Sequence, residues 1–173
     1  MSGAEPVRLD RARRWALLAG LGACAATWAA LADFSSRHAL LINVSPSLPY
    51  WALWVDKTRV PKRGETIVFM PPPGALVERH FGRESHPFGK RIWGMPGDIV
   101  SREDRTFYVN DRPVAIAKPV SRLGEPLAVG PTGTIPRGCY FVGTEHKDGL
   151  DSRYAAIGWV CGKQILGIAR PVL

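Results

Sequence analysis

Residues 90–98 read Lys-Arg-Ile-Trp-Gly-Met-Pro-Gly-Asp, a lysine at the head of a short apolar run that ends in a turn. Lys90 has Phe88, Ile92 and Trp93 close by in sequence. A lysine among apolar side chains loses solvation of its charged form, so its pKa falls and its free amine can act as a base. Taken alone, the stretch is more typical of a surface lysine ahead of an ordinary turn. A nucleophile within reach of Lys90 would favour its role as a general base.

A candidate nucleophile lies upstream at Ser47, in the sequence Ser-Pro-Ser-Leu-Pro of residues 45–49. The prolines at positions 46 and 49 restrict the backbone and favour an extended, turn-rich segment. Such a segment would present a hydroxyl rigidly to an incoming peptide. The alternative is a plain loop serine.

A third block, residues 143–154, reads Gly-Thr-Glu-His-Lys-Asp-Gly-Leu-Asp-Ser-Arg-Tyr. In order and spacing, the three blocks resemble the serine, lysine and Asp-Ser-Arg-Tyr boxes of type I signal peptidases, the Ser-Lys proteases that release exported proteins. The Ser47-x-Pro form and the short chain look most like the conjugative-transfer (TraF-type) branch, which matures pilin precursors. The resemblance covers roughly residues 40–172.

The resemblance implies a role for each serine and for the lysine. Ser47 would be the nucleophile, and Lys90 would take its proton and later return it to the leaving amine. Ser45 would complete an oxyanion hole with the N–H of Ser47, stabilising charge that develops only in the transition state.

The late block implies supporting roles. Asp151 and Arg153 resemble a pair that forms a buried salt bridge under the site, with Arg91 as a further candidate member. The alternative for the pair is a solvated turn. Gly143 matches the family glycine, where a side chain is expected to crowd the lysine.

The late block also departs from the family pattern. Signal peptidases usually have a serine that hydrogen-bonds the catalytic lysine, and the ungapped alignment places Gly149 there. Ser152, another hydroxyl or a water would then have to orient Lys90. The usual Gly-Asp-Asn start is also replaced by Gly-Thr-Glu at residues 143–145.

The N-terminal part predicts a membrane anchor. Residues 15–32 carry no charge, and at the helical rise they span roughly 27 Å, close to the hydrocarbon core of about 30 Å. The arginines of residues 1–14 place that end in the cytoplasm and the rest across the membrane. We expect a single-pass protein of the bacterial inner membrane, with a connector at 33–39 and a periplasmic peptidase domain at 40–173.

A cleavable signal peptide is the rival interpretation of this segment. Ala30-Leu31-Ala32 forms an Ala-x-Ala cleavage site, and Asp33 follows it. The length of the apolar run and its two tryptophans favour a retained anchor.

The net charge of +8 favours partners that carry negative charge, such as nucleic acid or acidic lipid. Lys and Arg residues are scattered and form no stripe interleaved with aromatic residues, which disfavours nucleic-acid binding. A domain facing the acidic phospholipids of the inner membrane is the simpler explanation. The other expected partner is a precursor protein.

Two cysteines fall in the part expected to be translocated, where disulfides form. Cys139 and Cys161 lie eleven residues either side of Leu150, as two facing residues of a β-hairpin would. A bridge and two separate buried thiols both fit this placement. Two isolated cysteines lack the spacing of zinc ligands, so no metal and no cofactor are expected.

The remainder predicts a mainly β fold, a coiled antiparallel sheet or small barrel like that of signal peptidases. Short apolar or β-branched runs are separated by Gly and Pro turns, at residues 66–70, 99–101, 106–109, 139–142, 157–161 and 165–169. Residues 110–113 predict a turn, and residues 75–81 either two helical turns or part of a loop.

These observations favour a membrane-anchored Ser-Lys endopeptidase that processes a translocated precursor, which the resemblance implies to be a propilin, sometimes cyclised in relatives. Two alternatives stay open: a general type I signal peptidase and a non-catalytic, membrane-anchored assembly subunit of a secretion or conjugation apparatus. A Ser-His-Asp triad built on His38, His80, His86 or His146 is the rival mechanism.

Overall fold

The structure is a computed structural model that describes residues 10–43, 48–84 and 86–172. Ser45 and Ser47 therefore lie outside the described residues. The chain divides into two units, Met1–Arg37 and His38–Leu173.

The first unit is one long helix, α1, which spans Arg11–Arg37. Its 27 residues correspond to about 40 Å at the helical rise. None of its residues is buried, and its length and composition suffice to cross a membrane. The helix runs without a break through residues 30–32 and through most of the segment expected to be a connector.

The second unit is built mainly of antiparallel strands. In chain order its elements are β1 His38–Ile42, β2 Ala52–Asp56, β3 Thr66–Phe69, α2 Ala75–Phe81, β4 Phe88–Gly94, β5 Ile99–Glu103, β6 Thr106–Val109, β7 Arg112–Ile116, β8 Gly133–Thr134, β9 Cys139–Gly143, β10 Val160–Cys161 and β11 Ile165–Pro171. The predicted mainly β fold is confirmed.

The strands form two sheets. The larger has the order β1-β2-β11-β3-β4-β9-β10, and the smaller has the order β7-β6-β5-β8. The two sheets share one apolar core, in which the rings of Phe107 on β6 and Phe141 on β9 stack with their centroids 5.6 Å apart. Strand β4 lies between β3 and β9, so both of its edges are paired, and the side chains of Phe88, Lys90 and Ile92 are buried.

Turn chemistry explains the hairpins of the smaller sheet. Asp104 lies between β5 and β6, and Asn110 and Asp111 lie between β6 and β7, all with positive φ. Asn and Asp tolerate this conformation better than other side chains because they bond to their own backbone. Pro113 sits on β7, an edge strand of this sheet, where its missing N–H costs no ladder bond.

The two cysteines of this unit are bonded to each other. Cys139 on β9 and Cys161 on β10 are directly opposed in the register, and a disulfide joins them. The bridge fastens the short strand β10 to the rim of the larger sheet.

The disulfide predicts a specific labelling pattern. A Cys24→Ser variant contains only the bridged pair, so under denaturing conditions without reductant it should take up no maleimide, and after reduction two equivalents. Reduction should lower the free energy of unfolding by about 3 kcal/mol, the chain-entropy value for a loop of this length. Labelling of both cysteines before reduction, read by intact mass, would contradict the bridge.

Candidate active site

Strand alternation determines which way each side chain of β4 points. Phe88, Lys90 and Ile92 are buried, whereas Arg91 between them is half exposed. Successive side chains of a strand point to opposite faces. Lys90 therefore lies on the same buried face of β4 as Phe88 and Ile92. The lysine is only 4% exposed.

The surroundings of Lys90 are apolar. Its strand partner on β3 is Ile67, and its Nζ lies 5.7 Å from the centroid of the Phe88 ring. Burial is the main cause that lowers the pKa of Lys90 from 10.5 to about 8, and the nearby Asp151 and Arg153 act in opposite directions. No hydrogen bond from a described residue contributes to this shift.

Lys90 lines a cavity of about 610 Å³ whose walls are mostly apolar. The same walls include Asn43 and Leu48, the described residues on either side of 44–47. The side chain of Leu48 lies 3.0 Å from where a Cβ on Gly89 would stand. Both ends of the segment that carries Ser47 are therefore at the cavity with the lysine.

The side chain of Asn43 holds the two ends of that segment together. Its Nδ2 donates to the carbonyl oxygens of Leu48, at 3.1 Å, and Tyr50, at 2.6 Å. The backbone N–H of Asn43 also donates to the carbonyl of Trp51. Asn43 and Leu48, the described residues on either side of 44–47, are thus held close together.

The predicted buried pair lies beside the lysine. The carboxylate of Asp151 accepts from Nε of Arg153 at 2.8 Å and from its Nη2 at 2.7 Å, and both side chains are buried. Asp151 also accepts from the N–H of Thr144, and Arg153 also donates to the carbonyl of Gly149. The pair therefore fixes the shape of loop 144–153.

Two expectations about supporting residues were wrong. Arg91 is not a member of the buried pair, because it points outward, where its nearest acid is the exposed Glu145 at 3.8 Å. A side chain at Gly143 would not crowd the lysine, because its Cβ would fall 2.0 Å from the ring of Trp93. Position 143 faces the other side of the sheet from Lys90.

Ser152 has a structural contact. Its buried Oγ accepts from the N–H of Val142 at 3.0 Å, which attaches the late loop to β9. Thr144 is a buried hydroxyl that sequence reasoning passed over, because it stands where the family pattern has a different residue.

Loop 144–153 and α2 are connected to the segment around 118–125 by charges that the sequence did not predict. Lys118 and Arg122 both pair with Asp148 and hold the pKa of that carboxyl down at about 2. Such pairs are separated by dozens of residues, so no local pattern reveals them.

An acid of the segment 118–125, Glu125, pairs with helix α2. Its carboxylate is bonded to the side chains of Arg79, at 2.8 Å, and His80, at 2.5 Å. Ser121 lies nearby, but its Oγ donates to Glu125, at 2.9 Å, rather than to His80. A triad needs a hydrogen bond between nucleophile and base. The described residues around His80 therefore do not form one.

The whole chain except its first residues matches a known family model. Residues 12–173 match the model described as signal peptidase, peptidase S26. The chain belongs to the signal peptidase family. The resemblance drawn from the three sequence blocks is therefore confirmed, and the protein has a peptidase role.

This signal peptidase family member has relatives of two kinds. It is 31% identical over 144 residues to the conjugal transfer protein TraF of Agrobacterium fabrum, covering 76% of this chain and 80% of that protein. It is 33% identical over 89 residues to signal peptidase I T of Bacillus subtilis, covering 47% of this chain and 46% of that protein. The chain thus spans about half the length of the Bacillus protein.

A solved structure is also similar. The crystal structure of a signal peptidase I from Enterococcus faecalis is 26% identical and aligns with a TM-score of 0.41, covering 64% of this chain and 97% of that chain. Family membership rests on the family model and on the Agrobacterium relative.

Two arginines near the site offer a matched comparison. Arg153→Met should lower the free energy of unfolding by about 3–5 kcal/mol, because it leaves the Asp151 carboxylate buried and unpaired. Arg91→Met should stay within about 0.5 kcal/mol of the parent, since Arg91 is half exposed. Chemical denaturation of both variants measures the difference. Equal costs would show that the buried pair does not hold the loop.

Proposed function

We propose that this signal peptidase family member is a membrane-anchored endopeptidase that uses Ser47 as nucleophile and Lys90 as general base. The observation that carries the proposal is the buried amine of Lys90 in an apolar cavity that also contains both flanks of Ser47. The proposed chemistry uses only groups of the protein itself.

The lowered pKa of Lys90 decides whether it can serve as a base. A pKa of about 8 leaves about a tenth of the amine neutral at pH 7, against about one part in 2,500 at the ordinary value of about 10.4. Burial thus raises the reactive fraction by more than two orders of magnitude. Burial is the largest cause of the lowered pKa, while the charges of Asp151 and Arg153 act on it in opposite directions.

The reaction would proceed in two steps. The Lys90 amine takes the Ser47 hydroxyl proton as Oγ attacks the scissile carbonyl, and the Ser45 hydroxyl and Ser47 N–H stabilise the oxyanion. The protonated lysine then returns the proton to the leaving amine, which gives an acyl-enzyme. Water or a second amine, activated by the same lysine, breaks the ester.

The proposed substrate is a translocated precursor protein cleaved after a small residue. The relative named for conjugal transfer in Agrobacterium fabrum supports a conjugative propilin, and the Bacillus relative supports a general signal peptidase as the alternative. A cyclic pilin would result where the pilin's own N-terminal amine reaches the ester before water does.

The proposed location is the bacterial inner membrane, with α1 as a retained anchor, its N-terminus in the cytoplasm and the peptidase domain in the periplasm in contact with membrane lipid. The arginines before the apolar run support this orientation. An alkaline phosphatase fused to the C-terminus should be active, and the purified chain should keep its N-terminal residues. A mature N-terminus at Asp33 would contradict the anchor.

The dyad is tested by cleavage of a co-expressed propilin. Ser47→Ala, Lys90→Ala and Lys90→Arg should each abolish processing, and the Ser47→Ala/Lys90→Ala double variant should be no worse, because the two groups act as a unit. Lys90→Arg is decisive because a guanidinium cannot deprotonate in this range. Lys163→Arg, at an exposed lysine, is the control and should process normally.

The pH dependence separates a lysine base from a histidine base. The cleavage rate should rise with pH through one ionisation near 8, because only the neutral amine accepts the proton. A histidine base would give an ionisation nearer 6.5, and Lys90→Arg would then keep much of its activity. If the protein is instead an assembly subunit, Ser47→Ala will leave conjugation unchanged.

A further inference from the structure

Thr144 carries a buried hydroxyl that lacks a partner. The residue is 4% exposed, and its Oγ1 is the buried side-chain oxygen for which the described part of the chain provides no hydrogen bond. Buried polar groups are almost always paired, so each exception in a native fold needs an explanation.

Extending the β4–β9 register one step beyond Gly143, where β9 ends, puts position 144 opposite Lys90. The ladder pairs Ile92 with Val142 and Arg91 with Gly143, and one step further the chains reach Lys90 and Thr144. Directly opposed residues of antiparallel strands share a face, with Cβ atoms about 4.5–5.5 Å apart. A buried amine and a buried hydroxyl, both unpaired among the described residues, therefore occupy neighbouring positions.

The backbone of Thr144 is fixed by the two charges that act on the lysine. Its N–H donates to Oδ2 of Asp151 at 3.2 Å, and its carbonyl accepts from Nη2 of Arg153 at 3.4 Å. Thr144 is thus held rigidly beside Lys90, as a residue that orients another side chain must be.

We infer that Thr144 is a positioning residue: its Oγ1 and Nζ of Lys90 are not hydrogen-bonded in the structure, and a change of the lysine rotamer brings Nζ to Oγ1, which then accepts its hydrogen bond and holds the amine in its working rotamer. The inference rests on the proposed role of Lys90 as the base. Oγ1 can accept an N–H from either protonation state of the amine, which leaves the lone pair of the neutral form free to point at Ser47.

Gly149 fits the same arrangement. A Cβ at this position would fall 2.4 Å from Oγ1 of Thr144, and Gly149 lines the cavity together with Lys90. Its φ lies outside the left-handed region, so space rather than backbone strain excludes a side chain. The Thr144 hydroxyl and a side chain at 149 therefore compete for one space beside the lysine.

The first test compares Thr144→Val, which removes the hydroxyl at nearly constant shape, with Thr144→Ser, which keeps it. Thr144→Val should lower kcat at least tenfold with little change in KM. It should also move the ionisation in the rate profile to lower pH, because the hydroxyl favours the protonated amine. Thr144→Ser should restore both quantities. A merely structural threonine would not move the ionisation.

The second test exchanges the two positions. Gly149→Ser alone should impair processing, because its side chain meets the Thr144 hydroxyl. Thr144→Ala/Gly149→Ser should recover much of that loss, since it returns one hydroxyl to the same space. This pair of variants keeps the inference testable where Thr144→Val fails to fold, as judged by circular dichroism.

The outcomes distinguish this inference from the proposed function. If Lys90→Arg is active, the proposed base is wrong and the inference falls with it. If Lys90→Arg is inactive while Thr144→Val matches the parent in kcat and in its ionisation, the base stands and Thr144 has no positioning role. A double variant no better than Gly149→Ser alone would also overturn the inference.

Discussion

The structure depends on the burial of one amine on a central strand. Burial of Lys90 disfavours its charged form. The free energy gained by burying Phe88 and Ile92 on the same face of the strand offsets this cost. Strands β3 and β9 pair with the two edges of this strand. A fold that placed Arg91 inward instead would bury a guanidinium that cannot release its proton.

The late loop adds a second constraint. Asp151 and Arg153 are fully desolvated charges that are acceptable only as a bonded pair, and their bonds to backbone groups fix residues 144–153 against the lysine. The two charges act on the pKa of Lys90 in opposite directions, and their mutual bonds make the loop rigid. The cavity can then stay mostly apolar and still contain the amine of Lys90.

Local patterns predicted much of the fold. The β-branched run of β3 and the hairpin of β5 and β6 were visible because their apolar alternation and turn residues agree. Strands β1 and β2 were missed: β1 follows α1 directly with no turn residue between them. Strand β4 was not predicted because glycines and charges interrupt its pattern.

Only those candidate site residues that lie in the three sequence blocks could be predicted. Lys90, Asp151 and Arg153 were identified from them, whereas the outward direction of Arg91 follows from strand alternation, which the blocks do not contain. The hydroxyl of Thr144 was missed because its meaning comes from the cross-strand register. The ion pairs of Asp148 and Glu125 join distant segments, which a single sequence does not reveal.

The most direct test of this account is the titration of Lys90 itself. NMR of protein labelled with 13C at lysine Cε, with Lys90→Arg used to assign the signal, reports the amine without requiring a substrate. The account predicts a midpoint near pH 8 for this signal. A Lys90 midpoint near the ordinary value of about 10.4 would contradict it, because a solvated ammonium could not serve as the base.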